Sequence, residues 1–168
     1  MPLQNTTLEG TLTIGGISMN PANGAWGIVG DERGQNGLLQ LWASFDVRGQ
    51  DRILPGAPGI IPYPRRMTVT RHDFRLLITG DVIGQTGAPA TDAIEGLATN
   101  FDYLRANVID PVVSSTGTRA STLTVPGQAS RSADIHIIGF VIQSYQLAEC
   151  GSIAVTTLQT SIPLGRFV

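Results

Sequence analysis

Along most of the chain, apolar and polar residues alternate. Over Leu8 to Met19, Leu8, Gly10, Leu12 and Ile14 alternate with Glu9, Thr11 and Thr13, the period-two pattern of a strand with one buried face. The Gly15-Gly16 pair inside it predicts a bulge or a close backbone approach. "GLLQLWASFDV" (37–47) and "RMTVTRHDFRLLITG" (66–80) read as strands in the same way. In the second, Thr68, Thr70, His72, Phe74, Leu76 and Ile78 share one face and Arg71, Asp73 and Arg75 the other, which therefore meets water or a charged partner. "STLTV" (121–125), "ADIHIIGFVIQSYQL" (133–147) and "SIAVTTLQTSIPL" (152–164) complete the predicted strands.

The pattern changes once, over Thr91 to Asp110. Apolar residues at Ile94, Leu97, Ala98, Phe101, Leu104 and Val108 follow the spacing of three and four that marks one helical stripe. Ile94, Leu97, Phe101, Leu104 and Val108 are its expected core face. Thr91 or Asp92 can cap the start, Asp92 and Glu95 have capping-box spacing, and Pro111 follows the end. Gly96 weakens such a helix by about 1 kcal/mol relative to Ala. The expected architecture is mainly β, an antiparallel sandwich or barrel flanked by a single amphipathic α-helix, in one domain over residues 1–168.

Composition narrows the function. Of the 168 residues, 42% are hydrophobic and only 14% charged, and the eleven basic residues, all arginine, face thirteen acidic ones for a net charge of −2. There is no basic excess to hold a nucleic-acid backbone. Cys150 is alone, which excludes an intramolecular disulfide or a thiolate-built metal centre. The first residues lack the basic and apolar regions of a signal peptide, and no run of apolar residues is long enough to span a membrane.

Candidate chemistry is sparse. The phosphate-cradling glycine motifs and the nucleophile elbow are missing. His72 and His136 sit in separate strands, and the adjacent Asp73 and Asp134 point to opposite faces from them. No metal ligand set or cofactor site is expected. Asp46, Asp51 and Asp73 could meet as an acid/base pair, but Arg48, Arg52, Arg71 and Arg75 beside them favour ion pairing. Arg65-Arg66 without an aromatic platform beyond Tyr63 does not make a nucleic-acid site. Trp26, Trp42 and Tyr63 leave open a monomeric carbohydrate-binding β-sandwich, with Trp42 as a core residue the plainer alternative. No enzymatic activity is expected.

The segment "RGQDRILPGAPGIIPYPRR" (48–66) asks for an explanation of another kind. Its connection from Gly49 to Arg65 is longer than most in compact domains, its four prolines stiffen it, and Ile53, Leu54, Ile60, Ile61 and Tyr63 place apolar area in water unless something covers it. Burying each such side chain is worth roughly 1.5–3 kcal/mol. Sheet edges are normally guarded by charge, especially Lys, and this chain has no Lys. A neighbouring copy that hydrogen-bonds to an open edge and repeats head to tail would supply the cover.

"LPGAPG" and "PRR" ahead of a long strand, the "GLATNFDYLRANV" helix, "GTRASTLTVPG" and a terminal "TSIPLGRF" together resemble the tail-tube superfamily of long-tailed, non-contractile phages, of the type that infects actinobacteria. The resemblance implies a β-sandwich with one flanking helix, hexameric rings sharing an inner β-barrel, and stacked rings forming a conduit for DNA ejection. It implies a structural virion protein assembled in the host cytoplasm, with copies of itself, a tape-measure protein and a distal tail protein as partners. DNA would be only a non-specific cargo, and no membrane is involved. It places the proline-rich segment at contacts between subunits and rings, with Ile53, Leu54, Ile60, Ile61, Tyr63, Arg65 and Arg66 as proposed contact residues. Distal tail proteins share this fold, usually with an added domain for which 168 residues leave no room, so the tube subunit is preferred and a distal-tail or tail-junction role is the alternative. Residues 66–80 and 133–147 are the longest candidates for lumen-lining strands, although Arg71 and Arg75 would face DNA awkwardly.

Overall fold

The computed structural model describes residues 10–29, 38–43, 47–48, 52–53, 60–61, 66–67, 69–110, 117–146, 152–163 and 167–168. Its elements in chain order are β1 (Thr11–Ile14), β2 (Ile17–Ser18), β3 (Trp26–Val29), α1 (Leu38–Ala43), β4 (Val47–Arg48), β5 (Arg52–Ile53), β6 (Ile60–Ile61), β7 (Arg66–Met67), β8 (Thr70–Thr79), α2 (Ala93–Leu104), a π-helical turn (Arg105–Ile109), β9 (Thr118–Thr124), β10 (Arg131–Gln146) and β11 (Ile153–Ile162). Seven strands form one antiparallel sheet in the order β2-β1-β9-β10-β11-β8-β3, curled into a half-barrel. The mainly β class with one flanking amphipathic helix is therefore the observed one.

Alternation decides which face is covered. In β8, His72, Phe74, Leu76 and Ile78 are buried, while Arg71, Asp73 and Arg75 are exposed. Register places Phe74 beside Leu158, Leu76 beside Thr156 and Ile78 beside Ala154, so the covered face continues into β11. It runs on through Ile135, Leu123, Leu12 and Ile14, all buried. Trp26 enters the core from β3, stacked on Tyr103 of α2 at 5.7 Å and donating its indole N–H to the Ser18 carbonyl.

Two predicted strands are resolved differently. Residues 11–18 form a hairpin, because Gly15 and Gly16 both take positive φ, +59° and +82°, the combination a two-residue hairpin turn needs. Ile14 then pairs with Ile17. Residues 38–43 are helical, with Leu38 and Leu41 both buried. These two residues are three apart, so they share a face only in a helix.

α2 begins at Asp92, whose carboxylate accepts the Ile94 N–H at 2.8 Å. Its seat on the sheet depends on two glycines. A Cβ on Gly96 would lie 2.0 Å from the Gly80 carbonyl oxygen, and one on Gly80 would lie 2.0 Å from that of Ala93. Helix and strand backbones therefore touch. This contact turns the helix: its buried residues are Gly96, Leu97, Asn100 and Leu104, followed by Val108 in the π-helical turn. Phe101 is half-buried and packs edge-on against Phe140 at 6.0 Å. Ile94 departs from the expected core face and is 57% exposed. At about 100° per residue, it lies well to one side of a buried direction centred on Asn100 and Leu104.

Asn100 joins the helix to the connection behind β8. Its amide nitrogen donates to the carbonyls of Thr79 (2.8 Å) and Val82 (2.7 Å), and its oxygen accepts the Gly84 N–H at 2.9 Å. At the other end, the buried Arg119 donates to the carbonyls of Val108 and Asp110. It thereby satisfies carbonyls that a helix end leaves without intrahelical partners.

Candidate functional site

β10 is sixteen residues long, whereas its neighbour β9 has seven. Over Arg131–His136, β10 pairs with β9 on one side. On the other, Ser132 exchanges both backbone hydrogen bonds with Val168 (2.6 and 3.0 Å), and His136 opposes Ser161. From Ile137 to Gln146 it pairs only with β11 among the described residues. Alternate residues of an antiparallel strand aim their N–H and C=O groups at the same side, so among the described residues this half of β10 has a row of backbone donors and acceptors with no partner strand.

The side chains there reinforce the point. "IIGFVIQSYQ" (137–146) contains no charge, although charge is what usually guards an open edge. Ile138 (54%), Val141 (48%), Ile142 (51%) and Tyr145 (69%) are all exposed. Ile142 stands beside Thr156 and Tyr145 beside Ala154, two fully buried residues, so both sit at the margin where the covered face runs out. Val141 lies on the opposite face beside Thr157. Register shifts at Ile137/Gly139 and Ile142/Ser144 mark bulges in this same half, which twist and bend the strand. The other sheet ends are shorter, four residues in β3 and two in β2.

The described residues of the proline-rich segment are paired in two short ladders. β4 pairs with β7, Val47 opposite Met67 and Arg48 opposite Arg66. Further out, β5 pairs with β6, Arg52 opposite Ile61 and Ile53 opposite Ile60. Among the described residues neither two-stranded pair is hydrogen-bonded into the seven-stranded sheet. At its root, α1 is fastened to the sheet: the Arg131 guanidinium lies 3.7 Å over the Trp42 ring and donates to the Trp42 carbonyl at 3.3 Å.

Among the residues expected at subunit contacts, Ile53, Ile60, Ile61 and Arg66 fall in these paired strands, while Leu54, Tyr63 and Arg65 lie outside the described residues. Asp46, Asp51 and Cys150 also lie outside them. Trp26 is buried and Trp42 half-buried beneath Arg131, so these two do not form an exposed sugar-stacking platform. His72 faces the core against the Phe74 ring at 4.7 Å, and His136 opposes Ser161 on the other face. No group of three potential metal ligands occurs among the described residues, and none of their helices is long and apolar enough to cross a membrane.

Residues 133–147 read as a strand and a lumen candidate, but alternation alone does not mark their second half as an edge. A signal was present nonetheless: Ile137-Ile138 and Phe140-Val141-Ile142 are apolar on successive positions, hence on both faces, as in strands that are covered twice.

No family model matches the chain, and no curated protein matches it. Among solved structures it is similar to the Dit protein (gp 19.1) of phage SPP1, described as a paradigm of the hub adsorption apparatus in phages infecting Gram-positive bacteria. The TM-score is 0.48 at 12% identity, over 90% of this chain and 49% of that one. The chain thus spans about half the length of that protein.

Proposed function

We propose that this protein is a ring-forming structural subunit of a phage tail, one whose copies complete one another's sheets. The observation that carries the reading is the uncovered half of β10, ten residues paired on one side among the described residues, uncharged and apolar on both faces. An edge of that kind invites pairing with another chain unless charge, proline or a covering element blunts it. Head-to-tail pairing between different edges closes into rings when the rotation allows it. The sequence resemblance to tail-tube proteins supports the same reading from an independent direction.

Within it, the tube and the distal tail are the two positions open to such a subunit. Size-exclusion chromatography with light scattering on the intact chain tests the shared claim: a concentrated solution should contain multimers, and a strict monomer would refute it. Negative-stain microscopy then separates the two positions, since stacked rings would assign the tube and unstacked single rings the tip.

A further inference from the structure

We infer that the Asn23-Gly24 pair is a deamidation site that the 81–90 connection keeps closed. Its modification follows local opening of that connection and makes the opening irreversible.

Asparagine followed by glycine is the pair in which this reaction runs most readily, because glycine has no side chain to block the approach and leaves the backbone free to turn. The Gly24 amide nitrogen bonds to Asn23 Cγ, and the side-chain amide nitrogen leaves as ammonia, taking the displaced proton. Water then opens the cyclic imide at one of its two carbonyls, giving aspartate or isoaspartate. The chain has two such pairs, Asn23-Gly24 and Asn36-Gly37, and Asn36-Gly37 lies outside the described residues.

Every group that must move is held. The Gly24 N–H donates to the Pro21 carbonyl at 3.0 Å. The Asn23 side-chain oxygen accepts the Ala25 N–H at 3.1 Å, and its amide nitrogen donates to the Gly84 carbonyl at 2.8 Å. Gly84 is fixed on two further sides: its N–H donates to Asn100 at 2.9 Å, and a Cβ on it would stand 1.9 Å from the Trp26 ring. The connection to which Gly84 belongs is exposed from Gln85 through Pro89. It is closed on itself by the Ile83 N–H to the Ala88 carbonyl and the Ala90 N–H to that of Asp81, both at 2.9 Å. Exposed segments with few buried contacts open locally at a lower free energy than the whole fold. Withdrawal of Gly84 from Trp26 therefore frees the Asn23 amide.

After the reaction the connection cannot return to its place. Aspartate turns a carboxylate oxygen, an acceptor without a proton, toward the Gly84 carbonyl that the amide had served as donor. Isoaspartate routes the chain through the side-chain carbon and lengthens the turn just ahead of Trp26. Either product withdraws one of the three supports of Gly84.

The test follows the intact chain over time in mildly alkaline buffer by peptide mapping, which separates aspartate and isoaspartate from asparagine. Folded wild type should modify Asn23 at least about tenfold more slowly than the same chain in strong urea, where Asn23 and Asn36 should react alike. Asn100→Ala removes the acceptor of the Gly84 N–H. It should speed the modification of Asn23 about tenfold, the equivalent of about 1.4 kcal/mol for one lost hydrogen bond, and leave that of Asn36 unchanged. The wild type supplies the same link without a substitution: as urea rises below the global transition, hydrogen exchange at the Gly84 amide and modification of Asn23 should increase together. Asn23→Asp reads the consequence, with faster exchange at the Gly84 and Ala90 amides than in wild type. A folded wild type that modifies Asn23 as fast as the urea-unfolded chain would overturn the inference, as would a folded Asn100→Ala chain with the wild-type rate. If Asn100→Ala does not fold, the urea series decides, and modification that begins only at the global transition would refute the role of the 81–90 connection. Unchanged exchange in Asn23→Asp would refute the irreversibility.

Discussion

Replacing Gly96 by Ala sets two effects of opposite sign against each other, and the structure says which wins. In an isolated helix the change stabilises by about 1 kcal/mol, since Ala is the better helix former. Here the new methyl would stand 2.0 Å from the Gly80 oxygen and 2.8 Å from the Ala90 Cβ. The helix must lift off the strand by on the order of 1 Å to restore ordinary contact, and inserting such volume into a packed site costs about 1–3 kcal/mol. The same movement stretches the three Asn100 hydrogen bonds, now 2.7 to 2.9 Å, and each buried polar group left unsatisfied costs a further 1–3 kcal/mol. The net expectation is a loss of roughly 2–4 kcal/mol once the propensity gain is subtracted. For a chain of this length, that lowers the melting temperature by about 5–15 °C. Thermal or urea denaturation of the unassembled subunit reads it directly, with Ala98→Gly at an exposed helix position as the control for propensity alone. A Gly96→Ala protein as stable as wild type would mean that the two backbones are not in contact.

Other substitutions test neighbouring links. Asn100→Ala removes both donors and strands the Gly84 N–H; a loss of about 2–4 kcal/mol is expected, with earlier proteolysis between residues 81 and 90 as a second readout. Arg119→Met keeps the apolar stem but abandons the carbonyls of Val108 and Asp110. It should cost about 1.5–3 kcal/mol and show in hydrogen exchange as a frayed π-helical turn; unchanged protection there would refute the cap.

Much of the sheet could be read from the chain. β8 and β11 alternate cleanly because one face packs and the other meets solvent, and α2 announces itself through its stripe and its Asp92 cap. The misread elements are those in which local chemistry outranks alternation. Gly15-Gly16 was seen as a disturbance, but two adjacent positive-φ residues do more than disturb a strand: they reverse it. Around residues 38–43, Leu38, Leu39, Leu41 and Trp42 suit either period over so short a run, and burial of Leu38 and Leu41 against the core selects the helix. Ile94 obeys the helical spacing yet lies exposed, because the closest approach of α2 is set by a missing side chain, Gly96, which carries no weight in a hydrophobic pattern.

The open edge is the harder case, since an edge belongs to a pair of strands and no single segment encodes it. The lack of Lys said only that some edge would lack its usual guard, and the greasy segment at 48–66 drew attention to the hairpin. Neither indicates which strand carries the open edge. The edge arises from a mismatch in length: β9 stops opposite His136 while β10 continues to Gln146, and the excess is the half in which apolar residues occupy both faces. A strand that outruns its partner usually ends in polar or charged residues, because nothing repays the desolvation of its backbone. One that goes on with isoleucine, phenylalanine, valine and tyrosine has no second partner strand among the described residues. Under the ring-subunit reading, shortening β10 to the length of β9 should cost assembly before it costs the fold, with light scattering and thermal denaturation as the two readouts.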